Sequence, residues 1–285
     1  MAHVPGNLLM PHERSKPMSI KSPRRRLDLV EVAGLVVLAA IIGGVVATKI
    51  LKDRISVYAM YGQDGAQEIE PLEREYGPAK NTRNIEEWAI RDFFHDERGG
   101  VFVDIGANHF QSENNTYYLE TSLGWSGIAV DAQAEFAEGY RLHRPRTKFF
   151  ASFISDVSGQ QEDLYVPRDN SLVASSNARF TAHELSPESR LTTSKRSIET
   201  LSLNDLLDRE HVRRVDFVSI DIELAEPRAL AGFDIARFQP RLVCIEAHVD
   251  VRQQILDFFA RHRYVVLGKY LRADTANLYF APVED

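Results

Sequence analysis

Between Gly100 and Phe110 the chain reads GVFVDIGANHF. An apolar run, Val101-Phe102-Val103, ends on Asp104, and a Gly-Ala-Asn turn follows at residues 106–108. A strand that stops on an acid and turns on glycine is the usual opening of a nucleotide-cofactor site. Glycine permits both the tight turn and the close approach of a ligand. The segment 114–123 suits a helix whose N-terminus faces the same place. Taken alone, these residues also suit an ordinary buried strand with a tight turn, because a partial glycine motif is a weak signal.

The rest of the chain repeats this alternation. Asn81-Thr82 predicts the cap of a helix over 85–94, with Ile85, Trp88, Ala89, Asp92 and Phe93 on one face. A strand at 126–131 ends on Asp131 and precedes a helix at 132–143. A third strand covers 147–153, and a short strand pair is expected near 161–166. Residues 167–195 are polar and serine-rich and read as a surface excursion. A strand at 197–201 and a short helix at 206–210 lead to a strand at 215–220, which runs into Asp221. A helix near 226–232, a strand at 242–246, a helix at 251–262 and strands at 264–267 and 277–280 complete the chain. Strands alternating with helices predict an α/β fold, a doubly wound parallel sheet with helices on both faces. The last two strands lie too close in sequence for a parallel crossover, so they should pair as an antiparallel hairpin.

Three acids, Asp104, Asp131 and Asp221, therefore fall at the carboxyl ends of three predicted strands, where open α/β sheets bind ligands. An acid some 20 residues beyond a glycine turn is placed to accept hydrogen bonds from ribose hydroxyls, and Asp131 has that position.

Three segments also carry a resemblance: VFVDIGANHF, ENNTYYLETSLGWSGIAVDAQ and VDFVSIDIELAEPRALAGFD. Together with the upstream YGQDG and the closing RYVVLGKYLRADTANLYF, they resemble the FkbM-type methyltransferase family over about residues 58–282. The resemblance implies a class I methyltransferase (Rossmann-like) sheet with its C-terminal antiparallel hairpin. It also implies transfer of a methyl group from S-adenosylmethionine, typically to oxygen. Residue by residue it places Asp104, Gly106, Ala107 and Asn108 in the cofactor turn, Asp131 at the ribose and Asp221 beside them. Asn115-Thr116 matches the family's Asn-Thr pair, and Asp221 and Glu223 match its Asp-x-Glu. Two positions depart from the pattern: His109-Phe110 stands where a further glycine is common, and Leu224 where Asp-x-Glu is followed by glycine.

A hydroxyl acceptor benefits from a base. Glu223, Glu226 and His109 are the candidate catalytic residues, while Asn115, Thr116 and His248 are candidates for the acceptor side. Each histidine also suits a solvated loop. Trp125, Tyr117 and Tyr118 read as packing residues. No His, Asp or Glu spacing resembles a metal site, and Cys244 stands alone, so no metal and no intrachain disulfide are expected.

Charge divides the chain. Up to Arg54, nine Lys/Arg face four Asp/Glu, a balance of +5 within a total of −7. The remainder is strongly acidic, which argues against a nucleic-acid partner. Residues 1–26 are polar and basic and read as a disordered tail. Val32–Thr48 contains no charge, and residues 27–50 are long enough to span a bilayer as one transmembrane helix. A connector over 51–83 then leads to a methyltransferase-like domain over 84–285. The basic lead favours a cytoplasmic N-terminus with the domain outside, whereas the cofactor chemistry favours the cytosol. The expected acceptor is a small molecule, or a glycan or lipid-linked hydroxyl at the membrane. A non-catalytic, membrane-anchored module of the same fold is the competing expectation, and a nicotinamide dehydrogenase is a more distant one.

Overall fold

The computed structural model describes residues 67–167, 174–177 and 193–283. The expected tail over 1–26 and the expected span over 27–50 lie outside the described residues. Among the described residues no helix is long and apolar enough to cross a membrane.

A helix at 67–76, here α1, is followed by α2 (Glu86–Phe94), β1 (Val101–Ile105), α3 (Tyr117–Thr121) and β2 (Ser126–Asp131). A 3-10 turn leads to α4 (Ala137–His143), β3 (Thr147–Ala151), β4 (Phe153–Ser155), β5 (Gln161–Val166) and β6 (Ser194–Ser202). Then come α5 (Leu203–Arg209), β7 (Phe217–Ile220), α6 (Glu226–Ala231), α7 (Ile235–Phe238) and β8 (Leu242–Glu246). The chain closes with α8 (Arg252–Arg261), β9 (Tyr264–Val266) and β10 (Asn277–Pro282).

Seven strands form one sheet in the order β3-β2-β1-β7-β8-β10-β9. Strands β3 through β8 of this sheet are parallel, and β10 runs antiparallel to both β8 and β9. The strand order reverses beside β1, so β1 and β7 flank the switch point where such sheets bind ligands. The parallel sheet and its closing antiparallel hairpin are those expected from the sequence.

The strands are buried on both faces, and successive side chains serve opposite cores. Val103, Ile105, Val218, Ile220, Val243, Ile245, Leu278 and Phe280 join the helices α5 to α8 in one cluster. Phe102, Phe217, Leu242, Cys244 and Tyr279 join Ile69, Leu72, Trp88, Phe94 and Trp125 in the other. Cys244 is thus a buried core residue, and α1, within the expected connector, packs its apolar side against α2.

Several boundaries differ from expectation, two of them through a change of partner. The third strand does not run on to Phe153: β3 stops at Ala151, and β4 leaves the main sheet to pair with β6 in a separate three-stranded sheet. The start of α2 is not capped by Asn81 or Thr82 in the usual way. Thr82 Oγ1 accepts the Glu87 N–H at 3.2 Å, and Glu87 Oε2 takes both nitrogens of Asn81 at 2.8 Å.

Candidate active site

Registry sets the site. Asp104 lies opposite Ala129 on β2 and Ser219 on β7, and Ser219 lies opposite Cys244 on β8. Stepping two residues along a strand keeps a side chain on the same face. Asp131, two beyond Ala129, Asp221, two beyond Ser219, and Glu246, two beyond Cys244, therefore share the face of Asp104. Four carboxyl groups converge on one end of one face.

The turn between β1 and α3 is suspended from β2. The N–H groups of Gly106 and Ala107 both donate to the Val130 carbonyl, at 2.9 and 3.1 Å. Gly106 has φ +80, and a Cβ there would lie 1.7 Å from the Asp221 carbonyl oxygen. The close approach that demands glycine is thus made by the neighbouring strand end. Asn108 is also left-handed, at φ 48, and its N–H donates to Asp131 Oδ2 at 3.0 Å. The Gln133 N–H donates to Asp131 Oδ1 at 2.8 Å. Both carboxylate oxygens are fixed by backbone. Burial pushes Asp131 up to about 6, and these two hydrogen bonds hold it from rising further. Burial likewise raises Asp104 to about 6, against the pull of the Thr116 hydroxyl that donates to it at 2.8 Å.

Two cavities meet here. The first is a crevice of about 510 Å³, open to solvent, with apolar walls from Val130, Phe153, Ile154 and Leu164 and with Asp131 and Gln133 also in its lining. The second, of about 1200 Å³ and also open to solvent, is lined by Glu86, Asp104, Glu113, Asp221, Glu223 and Glu246, with Arg83 the one cation among the described residues of that lining. Gly106, Asn108, Asp221 and Glu223 belong to both.

Carboxyl oxygens of Asp221, Glu223 and Glu246 lie within 4.8 Å of one another, a grouping that could also take a cation. Asp221 and Glu246 thus face each other at close range, each raising the cost of ionising the other. Asp221 is ringed by protein yet presents an exposed surface to the crevice. Because solvent reaches it, the upward push falls mainly on Glu246. Burial raises that carboxyl well above the ordinary range, and the charges of Asp221, Glu223 and Glu226 raise it further.

Of the residues expected from sequence, Asp104, Gly106, Ala107, Asn108, Asn115, Asp131, Asp221 and Glu223 line the cavities. Asn115 does so while donating to Ser219 Oγ at 2.8 Å. The others stand apart from both linings. Thr116 is fully buried behind Asp104. Glu226 is fully buried beneath the loop, where Oε1 accepts the Ile222 N–H at 3.1 Å. His109 closes its own turn, its Nδ1 accepting from the Gln111 and Ser112 N–H groups at 3.2 and 3.1 Å. His248 lies beyond β8, with Nδ1 3.6 Å from Asp250. Phe110 points away from the crevice, stacking on His143 at 4.5 Å and covering Gly139.

Glu246 escaped the sequence reading although its signal was present. It ends an apolar strand as the other three acids do. Glu86 gave no signal, being one more acid in a helical pattern.

Among solved structures, the chain is similar to an O-methyltransferase from Bacillus cereus in complex with SAH, at 13% identity and TM-score 0.40, covering 77% of this chain and 90% of that one. It is similar to a precorrin-6y C5,15-methyltransferase from Geobacter metallireducens, at 10% identity and TM-score 0.39, covering 72% and 94%. It is similar as well to a SAM-dependent methyltransferase from Geobacter sulfurreducens in complex with S-adenosyl-L-homocysteine, at 10% identity and TM-score 0.33, covering 73% and 78%. All three likenesses are distant. No curated protein matches the chain. Residues 104–266, from the acid of the cofactor turn to the end of β9, match the methyltransferase FkbM domain. That is more than half of the 285 residues, and the chain belongs to the FkbM-domain methyltransferase family.

Proposed function

We propose that this chain transfers a methyl group from S-adenosylmethionine to a hydroxyl of a small-molecule, glycan or lipid-linked acceptor. One observation carries the reading: an apolar-walled cavity with a backbone-fixed acid opens into a larger acid-lined cavity, and the two share the glycine turn and Glu223. The residues suit the cofactor. Val130, Phe153, Ile154 and Leu164 would enclose its base, and Asp131 would accept from its ribose hydroxyls. Asp104 and Asn115 would face its amino-acid end. When bound, S-adenosylmethionine supplies a methyl group on a sulfonium centre, open to attack by oxygen.

The protein's own work is positioning and proton removal. Rigid strand ends fix the distance between the partners, which supplies much of the rate in a displacement. Glu223, shared by both cavities, is placed to take the acceptor's proton as the oxygen attacks. Glu226 acts on the loop that presents Glu223, not on the acceptor. A titration of the full chain with S-adenosylhomocysteine tests the reading, and the expected result is saturable binding. A folded chain that takes up none at millimolar ligand would refute it.

The uncharged run Val32–Thr48 supports a membrane anchor that would bring the domain to an acceptor at the bilayer. A topology reporter fused after Asp285 then reads the side on which the domain lies.

A further inference from the structure

Arginine is the side chain least expected in a core, since a charge taken from water costs several kcal/mol unless fully paired. Arg144, at the end of α4, is buried with its side chain wholly inaccessible. Its Nε donates to Glu120 Oε2 at 2.5 Å. Nη1 donates to the Phe110 carbonyl at 2.9 Å and to Asn114 Oδ1 at 3.1 Å. Nη2 donates to the Thr116 carbonyl and hydroxyl, both at 3.1 Å, and to Thr147 Oγ1 at 3.2 Å.

A guanidinium only donates. Its neighbours must therefore turn acceptors towards it and donors away. Asn114 gives its Oδ1 to Arg144, so its amide N–H groups point to the Ala107 carbonyl at 2.9 Å and the His109 carbonyl at 3.2 Å. The Thr116 oxygen accepts from Arg144, and its own proton has two acceptors, Asp104 Oδ2 at 2.8 Å and Asn114 Oδ1 at 3.1 Å, of which the carboxylate is the nearer and the stronger. One fork thus sets the polarity of both side chains that grip the turn from Asp104 to His109.

We propose that Arg144 is a positioning residue for the cofactor turn: through Thr116 it orients the Asp104 carboxylate, and through Asn114 it holds the carbonyls of Ala107 and His109. This rests on the methyltransferase reading above. A simple staple between α3, α4 and β3 would use the same ion pair with Glu120, but would not require the relay through Thr116.

The test measures S-adenosylhomocysteine affinity calorimetrically on the full chain, with near-UV circular dichroism to confirm folding. Thr116→Val removes the relay, and Thr116→Ser keeps it. Arg144→Lys keeps the charge without the planar fork. Thr116→Val and Arg144→Lys should each weaken binding about tenfold, the scale of one hydrogen bond to a charged group. Thr116→Ser should stay within about twofold of the native chain, and the double variant should bind about as poorly as the weaker single one, because both act on one path. Native affinity in both single variants, or effects that multiply in the double variant, would overturn the proposal. If Arg144→Lys does not fold, the valine and serine pair decides alone. A native chain that binds nothing defeats the methyltransferase reading itself, and the role of Arg144 with it.

Discussion

Glu226 gives the most direct test of how this site is built. It is fully buried, Oε1 holds the Ile222 N–H, and Oε2 has no hydrogen-bond partner. Burial pushes its carboxyl up to about 7, and the nearby charge of Asp221 adds to the push. A group whose folded value is raised binds its proton more tightly in the native state. The stability it lends is therefore complete below the ordinary glutamate range and is lost as pH rises towards 7. Each pH unit of displacement is worth ~1.4 kcal/mol, so a glutamate carried to about 7 contributes roughly 3 kcal/mol of pH dependence. Glu226→Gln keeps the shape and the acceptor for Ile222 but cannot ionise. Its unpaired amide nitrogen costs about the same at every pH and so cancels in a slope. Urea unfolding at pH 5 and pH 8, followed through the buried Trp88 and Trp125, should show the native chain losing about 2.5 kcal/mol more than the variant between the two, since pH 5 already lies just above the ordinary glutamate value. Asp104, Asp131 and Glu86 are raised as well and add to the slope of both proteins, so only the difference belongs to Glu226. Equal losses in the two proteins would mean that Glu226 ionises normally, and the account of the buried clamp would fail.

Two other substitutions probe the same loop and the cofactor turn. Leu224 is held at φ 77, where a Cβ is strained, so Leu224→Gly should be more stable than Leu224→Ala by about 1 kcal/mol in the same unfolding assay, the reverse of the usual order. Asp131→Ala should weaken S-adenosylhomocysteine binding at least tenfold, since it removes a carboxylate fixed by two backbone N–H groups as well as its ligand contact; calorimetry reads this directly.

Much of the architecture was written in local pattern. The strand at 242–246 has the bounds its pattern predicts, because an apolar run ending on an acid leaves little freedom. The closing hairpin followed from chain length alone. What local pattern could not carry was a change of partner. Residues 147–155 form one largely apolar stretch, yet its end joins another sheet, and nothing in side-chain character marks the switch at Ser152. The helix expected over 114–123 begins only at Tyr117, because Asn114 and Thr116 serve the turn and Asp104 instead of continuing a helical pattern. Arg144 was invisible for a related reason. A basic residue at a helix end reads as solvated, and only the folded chain shows four elements closing over it.

Glu223 and Glu226, paired in sequence as candidate bases, part company on burial and backbone. Glu223 and Leu224 are consecutive left-handed residues, at φ 52 and 77, and neither is glycine. Such a turn persists only where its surroundings over-determine it. Glu226 fixes the residue just before it, and the Ser175 hydroxyl donates to the Glu223 carbonyl at 2.7 Å within it. The strain is thus held by one buried acid so that another can face the junction of two cavities. That division of labour explains why two glutamates three residues apart have such different surroundings. It also separates their expected failures: loss of the side chain at 226 should appear first in stability and its pH slope, and loss at 223 in the methyl-transfer rate with the fold intact.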